Sequence, residues 1–233
     1  KLGSLPLAYQ PGEKWLYSLA TDVCGYLVEA MSGLPFDEYL QKYIFDPLDM
    51  TDTAFHVCPE KLDRFAANYQ RRKDKTLKLI DAPEHSAYRH KPDFVSGGGG
   101  LTGTTRDYYR FCEMLRGGGQ LDGVRIIGSR TLNLMTQNHL PRGYDLTEMA
   151  MGSFSETAYE GVGFGLGFAM TLGKVESGQV ASGDYYWGGA ASTIFWVDPL
   201  EEITVVFMTQ LMPSATFNFR GQLKNIIYGA IED

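Results

Sequence analysis

Apolar residues recur at Ala20, Val23, Cys24, Leu27, Val28 and Met31, the three- and four-residue spacing that puts side chains on one helix face. The spacing predicts a helix of about a dozen residues starting just after Tyr17, with Ser18 as its N-cap and Gly33 as its stop. Phe36, Tyr39, Leu40, Tyr43 and Ile44 repeat the pattern, which predicts a second helix over 36–45 that ends at Asp46-Pro47. A third is expected to carry Tyr108, Phe111, Cys112 and Leu115, capped by Thr104 or Thr105 and closed by Gly117-Gly118-Gly119. Ser129 opens a short fourth over 130–137. Between the second and third, residues 59–95 are polar and weakly periodic and read as an inserted loop or small irregular subdomain, with Arg71-Arg72-Lys73 at a solvated tip.

From about 163 the period changes to two. Phe164 to Met170 reads as a glycine-rich strand, and Tyr185 to Trp187, Ser192 to Val197 and Ile203 to Met208 as further strands. Asp198-Pro199-Leu200-Glu201-Glu202 is the turn between the last two, so an antiparallel meander is expected. A helix over roughly 216–231, with Phe219, Leu223, Ile226, Ile227 and Ala230 on one face, closes the chain. Helices first, then strands and a closing helix, is an α+β order. The expected organisation is a mostly helical region over 1–160 and an antiparallel region with its closing helix over 161–233, forming one catalytic unit.

Composition narrows the partners. The 233 residues are 44% hydrophobic and 21% charged, as in ordinary globular proteins, with a net charge of −7. That charge argues against nucleic acid, whose phosphates call for a basic footprint. No apolar run approaches the ~20 residues that span a bilayer, so no membrane partner is expected. Cys24, Cys58 and Cys112 are odd in number and read as free buried thiols, which together with the lack of a basic-plus-apolar leader favours a cytoplasmic setting. His56, His85, His90 and His139 lack metal-ligand spacing, so no metal or other cofactor is expected.

Two familiar nucleotide and hydrolase signals do not apply. Gly98-Gly99-Gly100-Leu101-Thr102-Gly103 matches G-x-G-x-x-G formally, but Lys91-Pro92-Asp93 breaks the strand that should precede it, and tight backbone packing explains the glycines better. No G-x-S-x-G elbow occurs, which disfavours an α/β-hydrolase.

Three other segments carry a resemblance. Pro11-Gly12-Glu13-Lys14-Trp15-Leu16-Tyr17-Ser18 resembles the tyrosine motif of the class C β-lactamase-like serine hydrolases. Ser96-Gly97-Gly98-Gly99-Gly100-Leu101, followed by Asp107-Tyr108 and Met114-Leu115, resembles the glycine-rich turn and helix of that superfamily. Trp187-Gly188-Gly189-Ala190, leading into Phe195-Trp196-Val197-Asp198-Pro199, resembles its third motif, Lys-Thr-Gly in β-lactamases and penicillin-binding proteins, and is most similar to the Trp-Gly-Gly form of family VIII carboxylesterases. The resemblance covers nearly the whole chain, in order. The Ser-x-x-Lys segment that carries the nucleophile has no counterpart, since no serine here is followed by lysine three residues on.

The resemblance implies a β-lactamase-like α+β fold and a serine hydrolase acting on carboxylic esters through an acyl-enzyme. It implies that the chain is the C-terminal part of that fold, with Lys1-Leu2-Gly3-Ser4-Leu5-Pro6-Leu7 reading as mid-chain loop. Ser and Lys would come from a missing N-terminal fragment of the same protein. Tyr17 would be the base, or would share that role with the missing Lys, helped by a helix dipole and by that Lys as cation, because a free tyrosine titrates near 10. The Ala190 N–H would hold the oxyanion, and Gly188 and Gly189 would let substrate approach the strand. Leu19 stands where β-lactamases carry Asn and Trp187 where they carry Lys, which shifts the expected substrate from a β-lactam or peptide to a small ester. The alternatives are a β-lactamase or D,D-peptidase, an acyltransferase, and a non-catalytic homologue serving as a binding or structural module.

Overall fold

In a computed structural model, which describes residues 2–151, 160–178 and 183–232, the helix after Tyr17 spans Ala20–Ser32 (α1). Leu19 occupies its N-cap position, and Ser18 Oγ accepts the Ala20 N–H at 3.3 Å from one residue further out. Gly33 ends it in the left-handed conformation, φ 72°, that glycine adopts without a Cβ clash. Phe36–Leu40 (α2) runs straight into a π turn over Gln41–Phe45, so residues 36–45 are helical throughout.

Residues 59–95 are more ordered than their polarity suggested. Pro59–Arg64 is a 3-10 turn, and Asn68–Arg71 (β1) and Leu77–Asp81 (β2) form an antiparallel hairpin. Asp74 builds the turn between them by accepting both the backbone N–H and the hydroxyl of Thr76. Thr105–Arg116 (α3) follows, with Thr104 Oγ1 accepting the Asp107 N–H at 3.2 Å, a side-chain N-cap. A small hairpin of Gln120–Leu121 (β3) and Val124–Arg125 (β4) leads to Ser129–Met135 (α4) and to Leu146–Met149 (α5), which opens on an Asp145/Glu148 capping box.

The single strand expected over Phe164 to Met170 is instead a hairpin, Val162–Phe164 (β5) against Ala169–Thr171 (β6). The chain reverses at Gly165 to Phe168, where the Gly165 N–H bonds the Phe168 carbonyl at 2.8 Å and Gly167 takes φ 100°. Lys174–Ser177 (α6) follows, and then Tyr185–Gly188 (β7), Ile194–Asp198 (β8) and Ile203–Phe207 (β9). The order β5-β6-β7-β8-β9, antiparallel throughout, is the expected meander. Leu211–Met212 (β10) pairs in parallel with β1, Tyr69 opposite Leu211, so that β10, β1 and β2 form a second, three-stranded sheet. Phe219–Tyr228 (α7), capped by Asn218, closes the chain in a shorter span than expected.

Alternation along the sheet buries both faces. Tyr185, Phe195 and Val197 face one core, completed by Phe45, Leu48, Cys112 and Leu115. Tyr186, Ile194 and Trp196 face the other, completed by Leu146 and Met149 and flanked by Leu223 and Ile227 of α7. The first core therefore joins the helical region to the strands. A buried pair, Lys224 with Asp184, ties α7 to the residue before β7, and Lys224 lies 3.8 Å over the Tyr186 ring.

One expectation changes. The thiols are free, but they are not all buried: Cys24 is exposed, Cys58 half-buried and Cys112 buried. The helical spacing that made Cys24 look internal describes α1 correctly, yet its apolar stripe faces solvent here, with Leu27 49% and Met31 86% exposed. Gly25 is the buried residue of α1, set against the Gly97 backbone.

Candidate active site

Tyr17 lies on the extended approach to α1, three residues ahead of its first turn. The segment is held by a short parallel bridge: the Trp15 N–H bonds the Met149 carbonyl at 2.9 Å and the Met151 N–H bonds the Trp15 carbonyl at 3.0 Å. This fixes the backbone two residues from Tyr17 without using a regular strand. Leu19, at the cap of α1, is 61% exposed. The dipole expected to act on Tyr17 begins beyond it, at Ala20, and its influence falls off within the first turn.

Tyr17 meets the third motif through aromatic contact. Its ring centroid is 5.8 Å from Trp187 and 6.2 Å from Trp15. Phe164 at the end of β5 closes the group edge-on, 5.3 Å from Trp187 and 5.1 Å from Trp15. Such spacings are those of attractive ring pairs. Residues from three distant parts of the chain thus form one aromatic cluster, with the Tyr17 ring 43% exposed at its edge.

β7 carries Trp187 and Gly188 and then turns. Three backbone bonds hold the turn: Gly189 N–H to Thr193 carbonyl at 2.9 Å, Ser192 N–H to Gly189 carbonyl at 3.0 Å, and Leu211 N–H to Ala191 carbonyl at 3.0 Å. Buried Ser192, at φ 68°, donates its hydroxyl to the Leu211 carbonyl at 2.6 Å. Ala190 sits exposed on this rigid turn, and among the described residues no backbone carbonyl takes its N–H. A fixed, uncommitted main-chain donor at an exposed turn is what an oxyanion site requires.

The glycines beside it have a local reason as well. A Cβ on Gly188 would lie 2.5 Å from Arg220 Nη2, and one on Gly189 would lie 2.4 Å from Thr193 Oγ1. The close approach expected of substrate is thus made, on the Cβ side, by side chains of this chain. Motif reading had not singled out Arg220, because it sits among polar positions of the closing helix and reaches Gly188 through tertiary docking alone. Phe164 was likewise missed as a site neighbour, although its alternating pattern placed it on a strand.

A cleft of about 450 Å³ adjoins the cluster and shares Trp187 with it; Ile194, Trp196, Phe217 and Arg220 also line it. It opens on the sheet face that bears Tyr186 and Trp196. Among the described residues no group of His, Cys, Asp and Glu is arranged to hold a metal ion, and no helix is long and apolar enough to cross a membrane.

With this geometry in view, the chain belongs to the beta-lactamase family, whose model matches residues 1–226. It is 32% identical over 218 residues to Protein Rv1367c of Mycobacterium tuberculosis, covering 91% of this chain and 52% of that one. It is 28% identical over 228 residues to Esterase EstB of Burkholderia gladioli, covering 90% and 53%. Among solved structures it resembles EstCE1, described as a hydrolase with promiscuous acyltransferase activity, with a TM-score of 0.79 and 26% identity over 98% of this chain and 60% of that one. The chain is therefore a member of a serine hydrolase family of β-lactamase fold that includes esterases and acyltransferases. It spans about half the length of the curated relatives it matches.

Proposed function

We propose that this chain supplies the general base and the oxyanion turn of a carboxylesterase that works through an acyl-enzyme. The observation that carries the reading is the contact of Tyr17 with Trp187, three residues before the exposed Ala190 N–H. A base and a main-chain donor converging from opposite halves of the sequence are two of the three parts acyl transfer needs. The third, a serine with its lysine partner, comes from a segment of the same protein outside these 233 residues. The solvent-facing apolar stripe of α1 supports such a segment, since Val23, Leu27 and Met31 then gain a cover.

In this reading the serine hydroxyl gives its proton to Tyr17 and its oxygen bonds the ester carbonyl carbon. The carbonyl oxygen becomes an oxyanion held by the Ala190 N–H. Collapse breaks the ester C–O bond, and the departing alkoxide takes the proton back. Water then gives a proton to Tyr17 and its oxygen bonds the acyl carbon; the acyl–serine C–O bond breaks, and the departing serine oxygen takes that proton back. Leu19 and Trp187 present apolar surface to a small ester in place of the amide and cation of β-lactamases. The regions over 1–160 and 161–233 act as one catalytic unit, because each holds half of this machinery.

An alcohol could replace the water, which makes the protein an acyltransferase; the acyltransferase activity stated for EstCE1 favours keeping this second reading. The test uses the complete polypeptide, a fluorophosphonate and a p-nitrophenyl ester with and without an added alcohol. A covalent adduct on serine, lost with Tyr17→Phe, together with ester hydrolysis, is expected. Transfer exceeding hydrolysis would favour the second reading. Rapid turnover of a chromogenic cephalosporin with slow ester cleavage would replace both with a β-lactamase. An absent adduct would leave a non-catalytic homologue.

A further inference from the structure

The glycine-rich loop at 96–100 is not accounted for by the base or the oxyanion turn, yet it is locked onto the helix that begins behind Tyr17. Ser96 Oγ donates a hydrogen bond to Asp22 Oδ1, in the first turn of α1, and accepts the Gly98 N–H at 3.0 Å. The next residue is pressed against the helix backbone: a Cβ on Gly97 would lie 2.1 Å from the Thr21 carbonyl oxygen and 3.1 Å from the Gly25 N. From the other side a Cβ on Gly25 would lie 3.3 Å from the Gly97 Cα, and one on Gly98 would lie 2.8 Å from Thr21 Oγ1. Two backbones therefore touch with no side chain between them, and one side-chain hydrogen bond joins them across 74 residues of sequence.

We infer that Asp22 and Ser96 are a positioning pair for the Tyr17 base. Upstream, Tyr17 is anchored at Trp15 by the bridge to Ala150. Downstream, the chain enters α1 through Leu19, where no side-chain cap closes the helix. Beyond the local Ser18–Ala20 contact, the Ser96–Asp22 bond is the side-chain link that ties the first turn of α1 to a distant part of the fold, so that the Tyr17 backbone is strung between two fixed points. Losing it leaves the apolar contacts of the ring intact but frees the first turn of α1 to shift, and displacements near 1 Å are enough to cost on the order of 10²-fold in rate. Asp22 and Ser96 do not act on substrate themselves. The inference rests on Tyr17 as the base.

The test is a double-mutant cycle on the complete polypeptide, following ester hydrolysis and the rate of fluorophosphonate acylation. Ser96→Ala is expected to lower kcat and the acylation rate roughly ten- to hundred-fold, with KM within about two-fold. Asp22→Ala should match it, while Asp22→Asn, which keeps an oxygen acceptor for Ser96, should recover most of the loss. In a Tyr17→Phe background Ser96→Ala should have no further effect, because a mispositioned base and an absent base are equivalent. The same fold-loss in both backgrounds, or an unchanged kcat in Ser96→Ala, would overturn the inference. A Tyr17→Phe protein with the full rate would instead sink the base reading, and the pair's role with it. Should Ser96→Ala fail to fold, the comparison of Asp22→Ala with Asp22→Asn decides the matter alone.

Discussion

At the scale of single residues, the proposed mechanism depends on one side chain and one backbone donor, and the two respond differently to substitution. Tyr17→Phe removes only the phenolic oxygen and keeps the ring contact with Trp187, so kcat in the complete polypeptide is expected to fall by about 10²–10⁴ with KM little changed. Ala190→Ser keeps the N–H and should be nearly silent, whereas Ala190→Pro deletes the donor and should cost on the order of 10²–10³ in kcat. Steady-state kinetics on the same ester separates these outcomes. Away from the site, Asp52 records the electrostatics of the fold. Arg64 bonds it with both terminal nitrogens at 3.0 Å and Lys61 lies 2.7 Å away, which holds its carboxyl at about 2, down from 3.8. The unfolded chain then binds the extra proton first, so stability is retained above pH 4 and lost as pH falls from about 4 towards 2. Asp52→Asn should flatten that part of a urea-denaturation pH profile.

At the scale of elements, α7 is held to the sheet by the buried Lys224–Asp184 pair as well as by Leu223 and Ile227. Burial pushes the Lys224 ammonium below its ordinary value, against the opposing pull of Asp184. Lys224→Ala strands a buried carboxylate, and is expected to cost about 3–5 kcal/mol in urea titrations. Adding Asp184→Asn should restore part of it. Most elements could be read from the sequence where one face is buried and the other wet, as in α3, or where a short unbroken apolar run marks a strand buried on both faces, as in β8. The hairpin of β1 and β2 was not legible, since none of its residues is buried and no alternation marks a buried side. The β5–β6 hairpin reads as one strand in the sequence because Gly165 and Gly167 fall at strand-like positions, and only tertiary pairing marks the turn. The site was legible only in part. The tyrosine and tryptophan motifs point to Tyr17, Trp187 and Ala190, but Phe164 and Arg220 reach the same place through tertiary contacts that no local spacing records.

At the scale of the whole molecule, the chain exposes surface that a finished globule covers. Among the described residues β9 pairs with β8 alone, and α1 turns Val23, Tyr26, Leu27 and Met31 to solvent. An open strand edge and an exposed apolar helix face each favour association. These 233 residues alone are expected to self-associate in sedimentation or light scattering, and coexpression with the proposed upstream segment should yield a single defined species. A well-behaved monomer of the isolated chain would count against that segment. The pairing of β10 with β1, and the aromatic contact of Tyr17 with Trp187, also set an order in time. At about 5–20 residues per second on the ribosome, roughly ten to thirty seconds separate the synthesis of Tyr17 from that of Trp187. Throughout that interval the proposed base is present without the proposed oxyanion turn, so the esterase reading implies a nascent chain that stays chemically silent until β7 has emerged.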